Sequence, residues 1–152
     1  MEKEFNYTGT CIPGMHYMVD TSDQLRQIFF YIDKKKYFTI NRPRQYGKTT
    51  TLLLLERELA QRNYLPISIS FEGIGDTPFE NEGNFCKAFC ELIAEAMEMS
   101  GLEQADFFLK EIPETLKGLS RRIRAFIKEV KKEVVLFIDE VDKSSNNQLF
   151  LH

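Results

Sequence analysis

Tyr37-Phe38-Thr39-Ile40-Asn41-Arg42-Pro43-Arg44-Gln45-Tyr46-Gly47-Lys48-Thr49 reads in order as strand, loop and helix start. Tyr37 to Ile40 is aromatic and β-branched, which suits a short strand. Arg42 to Gly47 is a loop, and a helix is expected from Lys48 to about Gln61. A phosphate-binding loop needs this context. The first N–H groups of a helix have no partner within it, and the helix dipole favours an anion there. Gly47 lets backbone approach a phosphate with no Cβ in the way. Lys48 can reach the β- and γ-phosphates, and the Thr49 hydroxyl can ligate Mg²⁺. The match to G-x-x-x-x-G-K-[ST] is incomplete, because Arg42 stands at the first glycine position. Gly-Lys-Thr alone also occurs by accident at helix starts, so a second motif has to decide.

That motif is Glu133-Val134-Val135-Leu136-Phe137-Ile138-Asp139-Glu140. Its continuous apolar run predicts a strand buried on both faces, as in a parallel sheet. Asp139 then falls at the C-terminal edge of the sheet, where open α/β sheets bind ligands. It can hold Mg²⁺ opposite Thr49, and Glu140 can orient and polarise an attacking water.

The rest of the chain alternates in the same way. A helix is expected at about 22–34, with Thr21 and Gln24 as a capping box and Leu25, Ile28, Phe29 and Ile32 at helical spacing. Lys34-Lys35-Lys36 suits the negative end of its dipole. Four leucines, Leu52 to Leu55, predict that the next helix is buried on several sides. Pro66 to Phe71 alternates as a strand, and Gly73, Gly75 and Pro78 mark a loop. A helix at about 79–99 carries Phe85, Phe89, Leu92, Ile93, Ala96 and Met97 on one face. Another, at about 114–131 and opened by Pro113, carries Leu116, Leu119, Ile123, Phe126, Ile127 and Val130. Strands alternating with helices predict an α/β fold with a mostly parallel sheet flanked by helices.

Composition agrees. The 152 residues carry a formal charge of −3, are 43% hydrophobic and 28% charged, and include 3 cysteines, so disorder and a disulfide scaffold are excluded. No apolar run approaches the ~20 residues of a membrane span, and Met1 to Thr10 lacks a signal-peptide core. A cytoplasmic domain with reduced thiols is expected.

Pro43-Arg44-Gln45-Tyr46-Gly47-Lys48-Thr49 resembles the PRQ-x-GK-[ST] Walker A variant of the AAA-like P-loop ATPases of bacteria, and Val134 to Glu140 resembles their Walker B. Gly14 to Asp20 and Ile69 to Gly75 sit where that family has its pre-strand segment and second strand. The resemblance implies a single P-loop NTPase domain over 1–152, with a lead-in segment and helix at 1–35 and a nucleotide-binding core at 36–152. It implies ATP and Mg²⁺ as cofactors. The implied cofactor-binding residues are Arg44, Gln45, Tyr46, Gly47, Lys48, Thr49 and Thr50; Thr49 and Asp139 hold the metal, and Lys48 and Glu140 carry catalysis. It also implies a sheet order of 5-1-4-3-2. Only strands 1 to 3 are found, at 37–40, 66–71 and 133–138, so the module is expected to be a truncated one lacking central strand 4. A second copy or a downstream domain would supply what is missing. Hydrolysis of ATP is expected of the completed module. The alternatives are a nucleotide-binding module without turnover and a protein or nucleic-acid interaction domain.

Other residues suggest less. Cys86 and Cys90 share a helix face and read as core thiols, because a metal site would need two further ligands. Cys11 and His152 stand alone. His16, Tyr17 and Met18 could line an adenine pocket, by the resemblance. Arg121, Arg122 and Arg124 read as a solvated face, too narrow for nucleic acid. Asp142, Lys143, Ser144 and Ser145 read as a polar loop. Glu72, Asp76 and Glu80 are expected at the same sheet edge as Asp139.

Overall fold

The computed structural model describes residues 21–36 and 48–140, with side chains at 25–36 and 52–140. The expected strand at 37–40, the loop from Arg42 to Gly47, Cys11, His16 to Met18 and residues 141–152 lie outside those described, as do the side chains of the Thr21–Gln24 capping box. The chain divides into two compact units, parted between Gln61 and Arg62.

The first unit contributes two helices. Helix α1, Thr21–Asp33, buries Ile28, Phe29 and Ile32 on the predicted face. It ends in a Schellman turn: Lys35 takes φ 53°, the Lys36 N–H donates to the Tyr31 carbonyl at 3.0 Å, and the Lys35 N–H donates to Ile32 at 2.9 Å. Helix α2, Lys48–Gln61, packs against α1. Its four leucines are not buried all round. Leu55 and Leu59, one turn apart, are fully buried, whereas Leu53 is 61% exposed. The buried stripe follows i and i+4, and Leu53 points about 160° away from Leu55.

The second unit is a parallel pair of strands joined through helices. Strand β1, Tyr64–Ser70, turns Leu65, Ile67 and Ile69 inward. It starts two residues before the predicted Pro66. Among the described residues β1 is paired on one edge only, so the missing Pro66 N–H forfeits no ladder bond. A 3₁₀ turn at Thr77–Phe79 leads to helix α3, Glu82–Met99. The break between them, within the single helix expected at 79–99, comes from Asn81, whose side chain caps α3 by accepting the Asn84 N–H at 2.8 Å. A short helix α4, Phe107–Lys110, has no counterpart in the sequence reading. Helix α5, Leu116–Val130, is opened by Thr115 rather than Pro113, with Thr115 Oγ1 accepting the Gly118 N–H at 3.0 Å. A Cβ on Gly118 would fall 3.0 Å from the Pro113 side chain, so glycine allows proline to close over the first turn.

Strand β2, Glu133–Asp139, runs parallel to β1 in a register from Tyr64↔Glu133 to Ser70↔Asp139. These are the second and third strands expected, and they are neighbours as the order 4-3-2 requires. The core lies on one face of the pair. Phe71, Phe79, Phe85 and Phe89 form a chain of ring contacts there, and Phe107, Phe108 and Phe126 form a second cluster. Val134 and Leu136 pack on this core. The expectation that β2 is buried on both faces is corrected: Val135 and Phe137 are half-buried and Ile138 is 38% exposed. The helices of this unit pack on the face of Ile67 and Leu136, and Pro66, Ser68, Val135 and Phe137, which alternate with that face, are half-buried.

Candidate functional site

The first turn of α2 holds Lys48, Thr49 and Thr50. Helix geometry leaves their backbone N–H groups without partners inside the helix. Arg44, Gln45, Tyr46 and Gly47 precede them, outside the described residues. The strand–loop–helix reading therefore has its helix confirmed at the predicted residue, Lys48.

Asp139 ends β2, and Glu140 follows directly. Glu140 takes φ 57°, the left-handed region that non-glycine residues rarely enter. Its N–H donates to Asp139 Oδ1 at 2.8 Å, which fixes the orientation of that carboxylate. Both residues are half-buried. The parallel register places Ser70 beside Asp139, and the Phe71 N–H extends the ladder to the Asp139 carbonyl at 3.0 Å. Ser70 Oγ accepts the Glu72 N–H at 3.1 Å, turning the chain at this edge. The loop carrying Glu72 and Asp76 thus leaves β1 at the edge where β2 ends, as expected. Ser70 was not singled out from sequence, although the small polar residue closing the Ser68–Ser70 alternation marks it.

Oxygen donors at a strand end fit Mg²⁺, which takes one or two carboxylates and keeps several waters. No cluster of three or more His, Cys, Asp or Glu side chains with metal-site geometry occurs among the described residues. Cys86 and Cys90 are fully buried free thiols in the α3 core. Burial, and secondarily Glu82, raises the Cys86 pKa; burial, with Cys86 next, pushes Cys90 up to about 11. Thiols held protonated in this way are poor nucleophiles and poor metal ligands.

Arg122 departs from the solvated face expected of it. Its guanidinium stacks 3.8 Å from the Phe107 ring centroid and donates to the Phe107 carbonyl. Glu111 stands 3.7 Å away, and the side chain is 18% exposed. Arg122 therefore ties α4 to α5. Arg121 and Arg124 remain exposed.

No described helix is long and apolar enough to cross a membrane. A family model described as an AAA-like domain matches residues 23–150. The chain belongs to the AAA-like domain family. Neither a search of curated proteins nor one of solved structures found a match.

Proposed function

We propose that the chain binds Mg·ATP and hydrolyses it. The observation that carries this reading is the start of α2 at Lys48, directly after Gly47, in a family of AAA-like domains. The N–H groups of Lys48, Thr49 and Thr50 receive phosphate oxygens, and the Lys48 ammonium offsets their charge. Arg44, Gln45, Tyr46 and Gly47 form the loop around them. Thr49 and Asp139 would hold Mg²⁺, which would supply charge neutralisation to the phosphates. Glu140 accepts a proton from the water that attacks the γ-phosphorus in line, as the bond to the β–γ bridging oxygen breaks and ADP leaves. The bond between the Glu140 N–H and Asp139 supports this division, because it sets one carboxylate by the backbone of the other.

Calorimetric titration of the full chain with Mg·ATP tests the reading. Binding is expected in the wild type and lost in Lys48→Ala. Glu140→Gln is expected to keep binding and lose phosphate release. Binding that survives Lys48→Ala unchanged sinks the assignment. Binding without release in the wild type leaves a nucleotide-binding module in place of the hydrolase.

A further inference from the structure

The solvent face of α5 carries Lys117, Arg121, Arg124 and Lys128, at spacings of four, three and four residues. All four are exposed. At 100° per residue they fall within about 60° of one another, opposite the buried Leu119 and Phe126. The row extends about 16 Å along the helix axis at 1.5 Å per residue. No acid interrupts it: Glu129, the one acidic residue within α5, lies about a third of a turn away. Past the end of α5 an open groove of about 540 Å³ is lined by Ile127, Lys131 and Lys132 together with Arg62, Asn63, Tyr64 and Glu133.

Folding does not call for this arrangement. Like charges three and four residues apart weaken a helix, and the apolar face together with Arg122 secures α5 without them. The groove borders the sheet edge opposite Asp139, where Tyr64 and Glu133 begin their strands. A chain with net charge −3 therefore concentrates cations on one rigid line.

From this row we infer that α5 is an interface for the phosphate backbone of a nucleic-acid duplex. In sequence, Arg121, Arg122 and Arg124 form a cluster too narrow for such a partner. The structure removes Arg122 from it and aligns Lys117 and Lys128 with the other two. A duplex presents closely and regularly spaced phosphates along a stiff rod, which a straight row of cations complements. Single strands are gripped by aromatic side chains between the cations, and this row holds none. An anionic membrane would take an amphipathic helix by its apolar face, which α5 has already buried. Contacts to phosphate alone carry no sequence preference.

Fluorescence anisotropy of the full chain with a labelled 30-base-pair DNA duplex, repeated with an RNA duplex, a DNA single strand and phosphatidylserine vesicles, tests the inference. Four phosphate contacts predict a log–log salt slope of about −3.6, so duplex binding should weaken roughly 150-fold between 50 and 200 mM salt. Lys117→Gln/Arg121→Gln/Arg124→Gln/Lys128→Gln should reduce the slope by about 3.6 with an unchanged circular dichroism spectrum. Should that variant not fold, Lys117→Gln/Arg121→Gln and Arg124→Gln/Lys128→Gln should each reduce it by about 1.8. Lys34→Gln/Lys35→Gln/Lys36→Gln, which removes cations elsewhere, should leave it unchanged. No duplex binding at 50 mM salt overturns the inference. So does equal loss in the lysine-run variant, tighter binding of the single strand, or binding to the vesicles alone.

Discussion

Replacing Glu140 by glycine and, separately, by alanine distinguishes what its backbone does from what its carboxylate does. Glu140 stands at φ 57°, and a left-handed conformation costs an L-residue roughly 1–2 kcal/mol. Alanine keeps that cost and glycine is relieved of it. Against this, glycine loses about 0.5–1 kcal/mol more backbone entropy on ordering than alanine does. The balance favours Glu140→Gly over Glu140→Ala by about 0.5–1 kcal/mol. At an ordinary φ the sign reverses, because only the entropy remains. Both variants keep the N–H that meets Asp139, and both lack the carboxylate, so every other difference is shared. With a urea slope of about 2 kcal/mol per molar, the glycine midpoint should lie roughly 0.3–0.5 M above the alanine one. Far-UV circular dichroism across a urea titration measures this. Phosphate release, where the wild type shows it, should be lost in both. An alanine variant as stable as the glycine one refutes the reasoning, since Glu140 would then hold no strain. A strained residue beside a carboxylate at a strand end is the pattern expected where the backbone aims a reacting group.

Arg122→Ala should destabilise the chain by about 2–3 kcal/mol, from loss of a charged hydrogen bond and a ring stack. Arg122→Lys should not restore the loss, because an ammonium cannot stack and donate in the same plane; amide exchange at Phe107 to Lys110 reads both. Cys90 should make stability fall with pH at the alkaline end. Its folded pKa, about 11, is raised above the ordinary 9.0, so the folded state holds the proton more tightly. The contribution is complete below pH 9 and disappears as pH rises toward 11. Cys90→Ala should show a shallower loss of stability over that window in urea titrations at stepped pH.

Much of the second unit was legible because its residues obey one period at a time. Leu65, Ile67 and Ile69 alternate, and Phe85, Phe89, Ile93 and Met97 recur at four, so strand and helix followed directly. Boundaries were less visible, because they rest on single polar atoms. The Asn81 cap starts α3 and the Thr115 cap starts α5, and no periodic pattern marks either residue. Helix α4 is a single turn held by Arg122 through tertiary contacts, which no local sequence signal encodes. Burial of β2 was overestimated because an apolar run states what a strand can bury, whereas the helices packed on it decide what it does bury. At the candidate site, the start of α2 and the end of β2 were both legible from residue types. The left-handed turn at Glu140 was not: glutamate gives no sign of positive φ, where glycine or asparagine would.

Every pair in the β1–β2 register joins residues 69 positions apart, from Tyr64↔Glu133 onward. Closing a flexible loop of that length costs roughly 4 kcal/mol of chain entropy on the logarithmic scale. The contacts within α3, α4 and α5 are local by comparison and can shorten that loop before the strands meet. Loop closure at that separation predicts an ordered assembly, to be checked by pulse-labelled amide exchange during refolding: helices gather first, and the strand bearing Asp139 is set in place last. The time the chain takes to acquire its acidic edge is then expected to depend on the sixty-odd residues between the strands, so that substitutions in α3 or α5 should delay the arrival of Asp139 without touching it.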